Sequence, residues 1–213
     1  MIFRVLSFFF TLLPVVAMAA TPDPTTCNID GLAKIGYFDY RDHSRGALER
    51  RRMVEGAHFT TSVRHGVAGN TGKLIDDVAY TLRHIPNHPQ ALMVMVNIQQ
   101  KPGFRRNKPG RRDYYYDSVD CYFKRALAIA PDDPSVYLVR AIALHRLGQI
   151  ETAEQDYLKA VTIYPEYAEA HYNLGLLYLS KKQFDEANIH ADKAYDLGYP
   201  LEGLRDKLTA ATQ

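Results

Sequence analysis

Few residues of the sequence have the types and spacing that chemistry needs. His84 and His88 stand four apart in the stretch HIPNH, a spacing that holds a metal ion when both lie on one continuous helix. Pro86 lies between them, so the helix is expected to stop and leave His88 beyond its end. His84 then falls in a last helical turn, where an imidazole suits the helix dipole. Gly66 to Lys73 (GVAGNTGK) resembles a phosphate-binding loop at first sight. That pattern needs four residues between its glycines and Ser or Thr after the lysine; here five intervene and Leu74 follows. A glycine-rich turn leading into a helix is the reading. The acidic pairs Asp76-Asp77 and Asp132-Asp133 fall at a helix start and at a turn, where capping accounts for them. His58, His65, His145, His171 and His190 are scattered over separate expected elements. No His-Glu-x-x-His, Ser-x-x-Lys or Gly-x-Ser-x-Gly pattern occurs. The sequence therefore predicts no catalytic residue, no bound metal and no cofactor.

Composition sets the frame for the elements that would position any site. The chain has 213 residues, 46% hydrophobic and 23% charged, with a net charge of +2. This is the balance of a globular protein with a real core. It excludes a disordered chain and a nucleic-acid binder that works by bulk charge. Fifteen Tyr and nine Phe stand beside no Trp.

Residues 1–19 read as a secretory signal peptide. Arg4 supplies the charge, Val5 to Val16 an apolar run, and Ala17-Met18-Ala19 the small residues of a cleavage site. The run is too short for the roughly 20 residues of a spanning helix. Cleavage between Ala19 and Ala20 places the mature protein outside the cytosol, in the periplasm, away from nucleotide and coenzyme pools. Cys27 and Cys121 are the only cysteines. An oxidising compartment makes a disulfide between them the natural reading, and two buried free thiols the alternative. In the chain-entropy model a loop of this length stabilises the fold by roughly 4–5 kcal/mol.

A period of 34 residues runs through the C-terminal half. It relates Pro131 to Pro165, Tyr137 to His171, Ile150 to Phe184, Ala153 to Ala187 and Ala160 to Ala194. Between these marks apolar residues recur at helical spacing, and Gly148-Gln149 separates two helices. Small residues at fixed places let neighbouring helices approach, and aromatic side chains fill the gaps between them.

With these residues the sequence resembles the tetratricopeptide repeat (TPR) family. The stretch AEAHYNLGLLYLSKKQFDEA (168–187) is close to that family's consensus, and residues 134–167 match it at Tyr137, Ala141, Leu144, Gly148, Ala153, Tyr157, Ala160 and Pro165. The resemblance implies an all-α fold, a solenoid of helical hairpins with an irregular N-terminal extension. The expected layout is an irregular segment over 20–70 and a repeat array over 71–213. The array divides into a half-repeat 71–88, an irregular repeat 89–133, repeats 134–167 and 168–200, and a capping helix 201–210. The irregular repeat has 11 extra residues, placed in a basic insertion over 101–113. Phrases such as VEGAHF (54–59) and YTLRHIPNHPQAL (80–92) are similar to small exported bacterial TPR proteins of unassigned activity.

In TPR proteins the first helix of each hairpin lines a groove. The resemblance places Gln90, Met93, Asn97 and Gln100 there, then Ser135, Leu138, Ile142 and His145, then Glu169, Tyr172, Leu176 and Leu179. This mixed set lacks the basic array of TPRs that clamp a C-terminal carboxylate, and favours an amphipathic helix or extended peptide. The alternative is a groove filled by the protein's own arm, Gly36 to Tyr40. Lys101, Arg105, Arg106, Lys108, Arg111 and Arg112 form a basic run with no acid before Asp113. A solvated loop is its plain reading; the functional one is contact with an anionic envelope surface or an acidic protein face. The leading expectation is a protein–protein interaction scaffold or adaptor of the cell envelope, not an enzyme. Two others stand beside it: a small-ligand site or enzyme within residues 20–85, lined by groups such as His58, Arg64 and Asp39, and a structural subunit that assembles through Arg105 to Tyr116.

Overall fold

A computed structural model describes residues 27, 29, 36–106 and 116–211, and among these residues every regular element is a helix. The chain-order elements are α1 (Arg45–His58), α2 (Thr61–Arg64), α3 (Leu74–His84), α4 (Pro89–Gln99), α5 (Val119–Ile129), α6 (Pro134–Arg146), α7 (Ile150–Ile163), α8 (Ala168–Ser180), α9 (Phe184–Asp196) and α10 (Gly203–Ala211). The signal-peptide segment lies outside the described residues. No helix among the described residues is long and apolar enough to cross a membrane.

Helices α6 with α7 and α8 with α9 form the most extensive contacts, and α7 then packs on α8. The first helices of successive hairpins, α4, α6 and α8, touch in series, and α10 closes the row against α8 and α9. Small residues make this possible. Ala141, Ala153, Ala160, Ala187 and Ala194 are fully buried, so backbones meet where larger side chains would hold them apart. A β-carbon on Gly175 would lie 2.6 Å from a Leu204 methyl and 3.3 Å from the Ala187 carbonyl, which places α8, α9 and α10 in close contact at that point. Tyr157 and Leu174 fill the spaces between, each 1% exposed or less, and each such burial stabilises by roughly 1.5–3 kcal/mol.

The turns repeat as faithfully as the core. Gln149 N–H bonds to the Leu144 carbonyl at 3.0 Å, and 34 residues on Gln183 N–H bonds to Tyr178 at 3.0 Å. Both are Schellman closures, which need a left-handed residue just before the bonding N–H. Gly148 serves in the first (φ 74°), but Lys182 must serve in the second (φ 58°). Between repeats the caps vary. The Asp133 carboxylate accepts from Ser135 N–H at 2.9 Å with Pro134 opening α6, whereas Tyr167 opens α8 with no side-chain cap.

The array is divided into two apolar clusters. One gathers Phe59, Val63, Leu82, Leu92, Met95, Phe123 and Ala126; the other Leu138, Tyr157, Leu174, Leu177 and Leu204. Helix α6 is the seam, with Val136, Val139 and Ala143 facing the first cluster and Leu138 and Ala141 the second. Helix α5 touches α4 far less than α7 touches α6, as the longer α4–α5 connection allows. It begins at Val119 and not near 115, because the Ser118 hydroxyl takes the Cys121 N–H at 3.2 Å and fixes the start. Cys27 and Cys121 are joined by a disulfide, which ties the N-terminal segment to α5.

Candidate functional site

The face formed by α4, α6 and α8 carries the groove residues expected from the sequence. Gln90, Asn97 and Glu169 are exposed, and Met93, Ile142, His145 and Leu176 are half-buried, as are Gln100, Ser135 and Leu179. Two expected members do not reach the surface. Leu138 is 2% exposed because it packs into the second apolar cluster. Tyr172 is 8% exposed because α10 returns over it: Tyr199 lies against its ring at 4.4 Å, and a β-carbon on Gly203 would sit 3.2 Å from its hydroxyl. A residue the sequence reading passed over joins the face. Arg146 donates to Asn97 Oδ1 at 2.8 Å, and Gln100 donates to the Ala143 carbonyl at 3.0 Å. The α4 part of the face is thus partly spent on holding α4 against α6, and the open part lies on α6 and α8.

The arm from Gly36 to Tyr40 does not occupy this face. It docks on the corner between α3 and α4. Phe38 N–H bonds to the His84 carbonyl at 3.0 Å, Phe38 packs with Ala47 and Ile85, and Tyr40 lies 4.6 Å from the His88 ring. Asn87 is the centre of this corner. It is fully buried, accepts from Tyr40 N–H at 2.8 Å, and donates to Asp39 and Asp133 at 2.6 and 2.8 Å. Arg41 adds ion pairs with Asp39 and Asp132 at 2.8 and 2.9 Å. His88 is spent structurally: its Nδ1 accepts from Ala91 N–H at 3.3 Å to cap α4, and its Nε2 lies 3.3 Å from Glu55. Burial lowers its pKa. His84 and His88 therefore share no helix face.

The glycine-rich turn closes around a carboxylate of its own chain. Asp77 Oδ2 accepts from Asn70 N–H at 2.6 Å and Thr71 N–H at 3.0 Å, and Oδ1 accepts from the Thr71 hydroxyl. Those are the amides that a phosphate would need. Asp77 does not cap α3, as its position suggested; it is 1% exposed and also meets His58 Nδ1 at 2.7 Å. Burial pushes its carboxyl up, but the hydrogen bonds from Thr71, His58 and the two backbone amides prevail and hold it at about 2. Asp76 instead accepts from the Tyr116 hydroxyl at 3.1 Å.

His58 stacks on Tyr80 at 3.8 Å and lines a cleft of about 320 Å³ with Phe38, Arg50, Met53 and His84. The residues named for a small-ligand site are not brought together: His58 is in this cleft, Asp39 is in the Asn87 corner, and Arg64 lies over the Phe59 ring at 5.6 Å. In the basic run, Lys101 and Arg105 are exposed and Arg106 is half-buried. Lys108, Arg111 and Arg112 lie outside the described residues.

Two charged pairs mark where the repeats diverge. Arg140 takes the place that Leu174 takes one repeat later, and it forms a two-pronged bond to Asp156 at 2.6 Å on each prong. The counterparts of Tyr137 and Asp156 are His171 and His190, whose Nδ1 atoms are 2.9 Å apart. His171 Nε2 donates to the Pro165 carbonyl at 3.0 Å, so its Nδ1 accepts from His190. Burial, then the neighbouring imidazole, lowers His190 to about 4. Both pairs are neutral or balanced and internal.

Comparison with known proteins agrees with this geometry. Models of the TPR repeat and the tetratricopeptide repeat match residues 122–155, 143–182 and 168–197. The TPR repeat-containing thioredoxin TTL4 of Arabidopsis thaliana is 35% identical over 80 residues, 38% of this chain and 12% of that protein. The E3 ubiquitin-protein ligase CHIP of the same plant is 28% identical over 108 residues, 47% of this chain and 38% of that one. The matched stretch thus spans well under half the length of either relative. Among solved structures, PilF of Pseudomonas aeruginosa superposes with a TM-score of 0.55 at 20% identity, covering 78% of this chain and 69% of that one. The MamA protein superposes at 0.50 with 16% identity, over 76% and 79% of the two chains. These likenesses share the fold. With matched repeats over residues 122–197 and the same solenoid architecture, the chain is a tetratricopeptide-repeat protein.

Proposed function

We propose that this protein is an exported interaction module, a scaffold or adaptor of the bacterial cell envelope that holds a peptide or helix on the α6–α8 face and performs no catalysis. One observation carries the reading. Where the core would permit full closure, Ile142, His145, Leu176 and Leu179 stay partly open in a row across two successive first helices. Such a row suits the alternating anchors of an amphipathic segment. The signal-like residues 1–19 and the Cys27–Cys121 disulfide support export, since such bonds persist in oxidising compartments. The basic residues Lys101 and Arg105 would add contact with an anionic surface.

Affinity capture with the mature protein and with an Ile142→Glu, Leu176→Glu double variant tests this. Both side chains are partly open, so the variant is expected to fold. Loss of a specific partner supports the groove. An unchanged set of partners from a folded variant rejects it.

A second reading has one observation in its favour. The His58–Asp77 pair borders the 320 Å³ cleft, which would suit a small ligand in the N-terminal segment. A His58→Ala variant with unaltered partner binding but altered ligand-dependent melting would favour it.

A further inference from the structure

We infer that the groove face beside Tyr172 receives a cationic side chain, a lysine or arginine of the bound peptide, with Glu169 as its counter-charge. This deepens the groove reading proposed above and rests on it.

Glu169, Tyr172 and Leu176 stand three and four residues apart on α8, which puts them on one helix face. Tyr199 stacks on Tyr172 at 4.4 Å, so an aromatic pair lies beside the carboxylate. The Glu169 charge is also felt at the hydroxyls of Tyr157, Tyr167 and Tyr199, whose pKa values rise through burial first and this charge second; at Tyr157 the Arg146 charge partly opposes it. Glu169 thus lies at the centre of a tyrosine-lined patch.

The acid has no cation of its own. Neighbouring Arg146 is engaged with Asn97, and Lys181 with Glu154 at 2.6 Å. A carboxylate in a first helical turn complements the helix dipole, and this is enough to explain the exposed Glu151 on α7 and Asp185 on α9. On α8 that effect would lower the pKa. Instead, burial raises it, with no positive charge contributing. The protein has therefore partly removed water from a carboxylate without supplying a partner. A desolvated acid beside aromatic faces is complementary to an ammonium or guanidinium, through an ion pair and through the rings. The apolar part of the same segment would rest on Ile142, Leu176 and Leu179, which border the second cluster.

The test uses three fluorescein-labelled amphipathic peptides with the same leucine face and lysine, glutamine or glutamate at the polar positions. Anisotropy titrations are run with the mature protein, Glu169→Gln and Leu176→Glu, each checked for an unchanged fold by circular dichroism. The lysine peptide should bind about tenfold more tightly than the glutamine peptide, the scale of a partly desolvated ion pair. The glutamate peptide should bind more weakly still. Glu169→Gln should abolish the lysine preference and leave the glutamine peptide's affinity unchanged, while Leu176→Glu weakens all three. A lysine preference that survives Glu169→Gln, with Leu176→Glu still weakening binding, rejects the cation site and leaves the groove standing. If neither variant alters binding, or if no peptide binds the mature protein, both fall.

Discussion

The two halves of this chain use different means to hold their helices together. In α6 to α10 the means is repetition. Alanines 34 residues apart bring helices close, and each turn closes with the same pair of backbone bonds. Each hairpin needs little from distant sequence. In α1 to α4 the packing is less regular, and buried polar groups do what the small residues do elsewhere. Asn87 joins the arm, the α3–α4 corner and the α5–α6 turn in one side chain. Asp77 gathers a glycine-rich turn and His58. The lesson is that a solenoid can extend beyond its regular repeats, provided that a few fully satisfied polar centres replace the missing small-residue register.

The sharpest way to break this contrast is at the inter-repeat turns. Asn87 and Asp132 hold matching places in the turns before α4 and α6, yet one is buried with three bonds and the other exposed. Asn87→Ala leaves buried partners unsatisfied and should destabilise by about 2–4 kcal/mol, whereas Asp132→Ala should cost less than about 1 kcal/mol. Urea denaturation of both variants makes the comparison; equal losses would remove the special status of Asn87.

Acid should find the same weakness. Asp77 titrates at about 2 in the folded protein against 3.8 ordinarily. A depressed carboxyl stabilises above its unfolded value and loses that contribution as pH falls through the folded one. Roughly 2 kcal/mol should therefore disappear between about pH 4 and pH 2. Melting curves of Asp77→Asn, compared with the parent over this range, should show a shallower decline.

Smaller effects are expected among the regular repeats. Gly175→Ala must displace Leu204 and press on the Ala187 carbonyl, for a loss of about 1–2 kcal/mol. Lys182→Gly should act in the opposite direction. It relieves a left-handed residue that Gly148 occupies without strain one repeat earlier, and should stabilise by about 1 kcal/mol. Thermal melts of both would show whether the repeat register is as strict as the geometry implies.

How much of this was legible follows from where the partners lie. The hairpins over 134–200 could be read because their determinants recur at a fixed period; Ala153 announces Ala187. The fold class was readable for the same reason. Leu138 and Tyr172 were misread because groove membership came from helix position alone, and position does not reveal that α10 turns back to bring Tyr199 onto Tyr172. Asp77 looked like a helix-start acid, since nothing local tells that its bonds go back to Asn70 and Thr71. Asn87 carried no signal at all. Its carboxylate partners lie 48 residues before it and 46 after it, and a turn asparagine usually serves its own turn. Arg146 escaped notice because its role depends on Asn97, 49 residues away.

The central claim is that the row on α6 and α8 is where a protein partner is held. Site-specific photo-crosslinking in the native host tests it most directly, with a benzophenone side chain placed at Ile142, at Leu176, or at Ile189 on α9, which is 65% exposed and lies off this face. The account predicts one discrete crosslinked product, the same at Ile142 and Leu176 and absent at Ile189. Products that are equal at all three positions, or that form only at Ile189, would contradict it.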